Sequence, residues 1–232
     1  MNAYGELKKA AFEANMALSK SGLVVETFGN VSEIDRERGV FAIKPSGVPY
    51  GYLTPDSMVV VDLENNFVEG ALRPSSDTKT HAVLYRSFPG IGGVCHTHSA
   101  YAVAWSQAME PIPILGTTHA DHLALDIPCT AAMSDEMIRG DYEEETGNQI
   151  VRAFEKLSPR EVEMVLVASH GPFTWGKNAE RAVYNSIMLE ELAKLAYLTV
   201  ALNPSQPRLS NALIDKHYQR KHGAGAYYGQ KE

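Results

Sequence analysis

The chain has little cysteine, two residues in 232, Cys95 and Cys129. Two thiols are no disulfide framework, and they fit a reducing compartment. Positive charge is also short. Lys and Arg number 21 against 28 Asp and Glu, a formal net charge of −7, which speaks against a nucleic-acid surface. An anionic small molecule is not excluded, because a few local N–H donors bind phosphate even in an acidic protein. No apolar run approaches the roughly 18 residues of a membrane span. The stretch from Met1 to Lys20 carries charges where a signal peptide needs an apolar core. Repeats, low-complexity segments and a clear linker are missing too. What is present, 44% hydrophobic and 21% charged residues, suits one globular domain over 1–232. The expectation is a cytoplasmic protein with no membrane and no nucleic-acid partner.

Apolar spacing predicts a helix over Glu6 to Lys20, ended by Gly22. Strands are expected at Val24 to Phe28, Val31 to Ile34 and Val40 to Ile43, with a hairpin of Met58 to Asp62 and Asn66 to Glu69 around Asn65. Ser75-Ser76-Asp77 opens a helix with a Ser N-cap, and His81, Leu84, Tyr85 and Phe88 share one face of it. His81 therefore reads as a core histidine. Further helices are expected at Ala100 to Met109, from Ser134 to Gly140, at Glu143 to Lys156 and at Ala179 to Leu202, with a strand at Glu163 to Val167. The helix over 179–202 is apolar on more than one face, which calls for burial or assembly. Asp215 to Tyr228 is a basic and aromatic tail, and Glu143 to Glu145 read as a solvated helix face. Early strands followed by alternating strands and helices suggest a mixed α/β layered domain.

The chemistry centres on Gly92-Gly93-Val94-Cys95-His96-Thr97-His98-Ser99. On a strand, the period of two turns His96 and His98 to one face and Cys95 to the other. Histidine is the commonest ligand of Zn²⁺-like metals. His170 ends a predicted strand before a Gly-Pro turn and can supply a third imidazole. Asp77, at a helix start, can supply a carboxylate. Each residue alone is as compatible with a structural role. Three nitrogens with one open or carboxylate position is the donor set of a catalytic metal site. Gly29-Asn30, Lys44-Pro45-Ser46-Gly47 and Ser75-Ser76 offer N–H groups and hydroxyls of the kind that hold phosphate.

Several stretches together resemble the class II aldolase and epimerase superfamily. They are Gly29-Asn30-Val31-Ser32, Asp35 to Gly39, Ile43 to Gly47, Arg73 to Thr78, His96-Thr97-His98, Gly116 to Asp121, Ile127 to Thr130 and Ser169 to Phe173. Lys216-His217-Tyr218, Arg220 to Gly223 and Ala226 to Gln230 extend the match to the chain's end. The resemblance implies an α/β, three-layer fold with a central, mainly antiparallel sheet flanked by helices. It implies that His96, His98, His170 and Asp77 bind Zn²⁺, or another divalent ion such as Mn²⁺ or Co²⁺. It implies that Gly29, Asn30, Lys44, Ser46, Gly47, Ser75, Ser76 and Thr117 bind a phosphorylated ketopentose. His217 and Arg220 would reach its phosphate across a subunit interface. Asp121 and Tyr228 match the family's acid/base pair, supplied by a neighbouring subunit of a homotetramer.

The activity implied is interconversion of L-ribulose 5-phosphate and D-xylulose 5-phosphate. The C4 hydrogen is not acidic, so retro-aldol cleavage of C3–C4 and re-addition to the other aldehyde face is the route implied. The metal acts as a Lewis acid towards the enediolate fragment, and two acid/base groups serve the C4 oxygen on opposite faces. Alternatives are a class II sugar-phosphate aldolase, in which position 77 carries Glu, and a non-catalytic binding module of the same fold. Phe28 and His122 depart from the family pattern and are expected beside the Asp121 loop, with His122 packing. Asp121→Asn and Tyr228→Phe variants are expected to rescue one another in mixed tetramers.

Overall fold

The computed structural model describes residues 3–228. Gly229 and Gln230, quoted above in the C-terminal motif, lie outside the described residues. Seven strands form one antiparallel sheet: β1 (Asn30–Asp35), β2 (Val40–Ile43), β3 (Val59–Asp62), β4 (Phe67–Glu69), β5 (Gly93–His96), β6 (Met164–Val167) and β7 (Gly171–Gly176). Their spatial order is β4-β3-β2-β1-β5-β7-β6. The helices are α1 (Gly5–Lys20), α2 (Thr78–Ser87), α3 (Ala100–Ala108), α4 (Thr117–Ala120), α5 (Asp135–Arg139), α6 (Tyr142–Ala153), α7 (Ala179–Leu202) and α8 (Asn211–His222).

Alternation along the strands divides the core into layers. Ile34, Phe41, Val59, Val61, Val94, Phe173 and Trp175 pack against Leu84 and Tyr85 of α2, Phe88 just after it, and Ile150 of α6. On the opposite face, Val31 and Cys95 meet Ala14 and Leu18 of α1 and Ala179, Ala182 and Val183 of α7. Cys95 thus points away from His96, as the strand period requires. Trp175 anchors the first layer, its ring 5.3 Å from Phe88 and 5.1 Å from Phe154. Gly93 is needed where α7 begins: a Cβ there would stand 2.2 Å from the Ala179 backbone nitrogen. That close approach sets the end of α7 directly on the centre of the sheet.

The helix at 179–202 has the bounds read from the sequence. Its start is fixed by the Asn178 side chain, which accepts from the Arg181 N–H at 2.9 Å. One face is buried through Leu189, Leu192 and Ala193, while Tyr184, Ile187, Leu195, Leu198 and Leu202 are exposed.

Four expectations are corrected. Val24 to Phe28 is not a strand; Glu26 takes φ 53° and Gly29 φ 80°, so the segment turns over the sheet's end and leaves Phe28 exposed. Gly171–Gly176, unassigned from the sequence, is β7. The basic tail contains helix α8. At α2 the capping position is Asp77, not a serine, and its side chain makes no cap hydrogen bond.

Candidate metal and sugar-phosphate site

The sheet register builds the site. His96 closes β5, with Asn30 beside it on β1 and Phe173 beside it on β7. His170 lies in the β6–β7 turn just before β7, where Ser169 takes φ 60°. His98 follows β5 by one residue beyond Thr97, outside the strand. The three imidazoles converge, each offering one nitrogen, all within 4.8 Å of one another. This cluster can hold a metal ion. The side chain of His96 stacks on Phe173 with centroids 4.2 Å apart. Its Nδ1–H donates to the Pro172 carbonyl at 2.9 Å, which leaves Nε2 as a lone pair. That Nε2, like His170 Nδ1, is buried without a partner. Buried ring nitrogens without a partner, in residues that cluster this closely, fit a cation.

Asp77 is turned away from capping because Asn30 Nδ2 donates to its Oδ2 at 2.6 Å. Burial pushes its carboxyl up, but His96, His81, the Asn30 bond and His170 outweigh this, and the net shift is down. Burial first, then His96 nearby, pulls His98 down, and the same causes take His170 to about 4. At neutral pH His98 and His170 are therefore neutral imidazoles near the anionic Asp77 carboxylate, the protonation states metal binding requires.

The cleft over this group, about 390 Å³, is lined by Gly29, Asn30, Lys44, Ser46, Gly47, Ser75, Ser76, Asp77 and the three histidines. Two loops meet there: Ser46 N–H donates to Arg73 O at 2.9 Å, and Ser75 N–H to Lys44 O at 3.0 Å. Lys44 is buried, its ammonium donating to Thr27 O at 3.1 Å and lying 4.9 Å from the Tyr50 ring centroid. Burial pulls it down to about 8. Tyr50 OH in turn donates to Gly29 O at 3.0 Å and Phe28 O at 3.1 Å, bracing the loop above the three histidines.

Tyr142 and Glu143 also line this cleft, and Tyr142 stands 6.2 Å from His170. Sequence reasoning missed Tyr142 and dismissed Glu143 as part of a solvated face. The signal was the first turn of α6. The Lys79–Asp141 ion pair and the Thr80 Oγ1 bond to Glu143 O at 2.6 Å tie that turn to α2. Phe28 lies 5.7 Å from His98 and lines this cleft, away from the Asp121 loop of its own chain.

Five expected site residues are elsewhere. Asp121, at the end of α4, accepts from Arg220 Nε at 2.9 Å, Arg220 Nη2 at 2.6 Å and His217 Nδ1 at 3.0 Å. Burial pushes its carboxyl up, but Arg220, His217 and Lys221 together hold it below the usual range. Tyr228 folds back on α8, its ring centroid 4.9 Å from the Arg220 guanidinium. Thr117 lines a separate groove against Leu192, Leu195 and Ala196 of α7. None of these five lines the histidine cleft of its own chain. His122 packs beside Tyr184, ring centroids 6.0 Å apart, and also lines a further polar cleft with Arg160, Lys177 and Arg181.

The family model described as Class II Aldolase and Adducin N-terminal domain matches residues 9–197. The chain belongs to the class II aldolase family. That match holds the triad, Asp77 and Asp121, and stops before α8. A curated class II aldolase-type relative, L-ribulose-5-phosphate 4-epimerase UlaF of Salmonella paratyphi C (strain RKS4594), is 51% identical over 226 residues, 97% of this chain and 99% of its own. The protein of the same name from Salmonella choleraesuis (strain SC-B67) has the same figures. Among solved class II aldolase structures, an L-fuculose 1-phosphate aldolase superposes with a TM-score of 0.79 at 24% identity, covering 93% of this chain and 95% of that one. That likeness bears on the fold alone.

Proposed function

We propose that this chain is a metal-dependent epimerase that interconverts L-ribulose 5-phosphate and D-xylulose 5-phosphate by breaking and re-forming C3–C4, acting as one domain over 1–232 in the cytoplasm. One observation carries the reading. A single cleft holds a three-histidine cluster with Asp77 and, contiguous with it, the N–H-rich turns at Gly29, Ser46–Gly47 and Ser75–Ser76. The UlaF relatives' names supply the sugar. Zn²⁺ is the proposed ion, because nitrogen-rich sites with one carboxylate suit it; Mn²⁺ and Co²⁺ are accepted by the same ligands.

His96, His98, His170 and Asp77 would hold the ion. The ion, when bound, supplies Lewis-acid stabilisation for charge on the dihydroxyacetone fragment. Ser46, Gly47, Ser75 and Ser76 grip the phosphate, with Asn30 and Lys44 close by. The glycolaldehyde phosphate fragment thus stays bound while its aldehyde turns. Asp121 and Tyr228 exchange the C4 hydroxyl proton on opposite faces. Because the two lie on their own chain away from the triad cleft, they serve a neighbouring subunit, with His217, Arg220 and Thr117 beside them. The proposed assembly is a homotetramer with shared sites, a reading that the exposed apolar face of α7 supports. Position 77 is Asp, which favours epimerase over aldolase. Incubation of metal-loaded protein with L-ribulose 5-phosphate should yield D-xylulose 5-phosphate. Absence of conversion by folded, metal-loaded tetramer overturns the reading.

A further inference from the structure

Several backbone N–H groups around the cleft are already paired. Those of Ser46 and Ser75 bind across the two loops, and Phe28 N–H donates to Val25 O at 3.0 Å. Asp77 N–H donates to Ser75 Oγ at 3.3 Å. The N–H groups of Gly29, Gly47 and Ser76 have no hydrogen-bond partner among the described residues, and all three residues line the cleft. Unpaired N–H groups on turns around one cleft make a nest for an anion.

The bonds of Ser46 and Ser75 hold the loops that carry Gly47 and Ser76. The Gly29 loop has a different anchor. The Lys44 ammonium donates to Thr27 O at 3.1 Å, and the Tyr50 hydroxyl shares its hydrogen between Phe28 O at 3.1 Å and Gly29 O at 3.0 Å. Three successive carbonyls are thus held by two side chains. In an extended chain neighbouring carbonyls alternate in direction and could not meet one hydroxyl. Gly29, at φ 80°, turns both to the same side.

Tyr50 is well placed to hold them. It opens a short 3₁₀ turn, Tyr50–Tyr52, and is buried with Ala11, Leu53, Met58 and Val60. Burial pushes its phenol up, so the hydroxyl keeps its hydrogen and stays a donor. Tyr50 does not line the cleft, whereas Phe28 and Gly29 do; it grips their loop from the far side. In a planar trans peptide the Gly29 N–H lies opposite the Phe28 carbonyl. With that carbonyl drawn to Tyr50, the N–H points away from Tyr50.

Resting on the phosphate reading above, we propose that Tyr50 is a positioning residue for the substrate phosphate: its hydroxyl draws the Phe28 and Gly29 carbonyls behind the loop and so aims the Gly29 N–H into the cleft, beside those of Gly47 and Ser76.

Tyr50→Phe removes the hydroxyl and keeps the ring in its apolar seat. The probe is inorganic phosphate, titrated calorimetrically into metal-stripped protein so that no bound ion competes for it. Its Kd should rise about five- to tenfold in the variant, the worth of one hydrogen bond. The KM of metal-loaded enzyme for L-ribulose 5-phosphate should rise by a similar factor, while kcat and the Zn²⁺ affinity read by chelator competition each change by less than about threefold. In wild type, ¹⁵N spectra should show the Gly29, Gly47 and Ser76 amides moving as phosphate is added. A lower melting temperature in Tyr50→Phe with phosphate Kd and KM as in wild type leaves Tyr50 a packing role alone and overturns the proposal. So does an equal loss of Zn²⁺ affinity, or a Gly29 amide that stays still while those of Gly47 and Ser76 move. Phosphate results as expected, in a protein that does not convert L-ribulose 5-phosphate, sink only the substrate assignment. If phosphate moves none of the three amides, the phosphate reading and this proposal fall together.

Discussion

Gly29 shows how much of the site rests on one backbone angle. Its φ is 80°, and a Cβ there would meet Val24 Cγ1 at 2.9 Å and the His96 carbonyl at 3.1 Å. A left-handed residue with a side chain costs about 1–2 kcal/mol, before the crowding is counted. Gly29→Ala should therefore lower the melting temperature by roughly 2–8 °C for a chain of this size. It should also weaken substrate binding, because the displaced loop carries Phe28 and Asn30; calorimetry and the change in KM read the two effects. The three clustered histidines were legible at this scale. His96, His98 and His170 stand at strand ends, and strand ends were visible as apolar runs meeting polar turns. Tyr142 and Glu143 were not. Their place in the cleft depends on α2–α6 packing through Lys79 and Thr80, and no local pattern around Glu143 encodes a contact made so far along the chain.

The elements that were legible carry their own stop and start signals. α7 has Asn178 at its cap, and α1 ends at Ser21 before Gly22 at φ 78°. Val24 to Phe28 misled because β-branched residues were read without the left-handed Glu26. β7 was missed because it starts Gly-Pro and is buried along its whole length, so no alternation marks it. α8 was missed because most of its residues are polar or charged and only Ile214 is buried; besides the small cluster of Ile214 with Ile114 and Ala120, what it grips is Asp121. Element α4 makes a pH prediction. Burial takes His119 down to about 4, and its Nε2–H donates to Leu125 O at 3.1 Å. An unfolded histidine titrates near 6.5. Between about 6.5 and 4 the unfolded chain binds a proton that the native one refuses, so stability falls as pH falls through that window. The slope approaches about 1.4 kcal/mol per pH unit for one group. Urea midpoints at pH 7.5 and 5.5 should show the loss. His119→Gln, which keeps the donor but cannot be protonated, should show less of it.

In the whole molecule, the Asp121 cluster changes which subunit mixtures should work. Arg220 binds Asp121 through two hydrogen bonds and lies against Tyr228, so the proposed acid/base pair stays together on one chain. Mixing Asp121→Asn with Tyr228→Phe therefore leaves every shared site with one defective partner, and the rescue expected from the sequence should not occur. His96→Asn mixed with Asp121→Asn should recover activity, since some sites then join an intact triad to an intact pair. Activity of exchanged tetramers against each parent reads this directly. The resemblance paired Asp121 with Tyr228, but the contact that joins them was not legible, because it is a guanidinium on a helix that was read as a tail. The bond between α8 and α4 also has a genetic consequence. If the site is shared as proposed, a lesion in the last turn of α8 would harm the site of a neighbour and spare the cleft of the chain that bears it. In a cell making both forms, each faulty copy would disable work done elsewhere in the assembly, so such alleles should behave as partial dominants rather than silent losses.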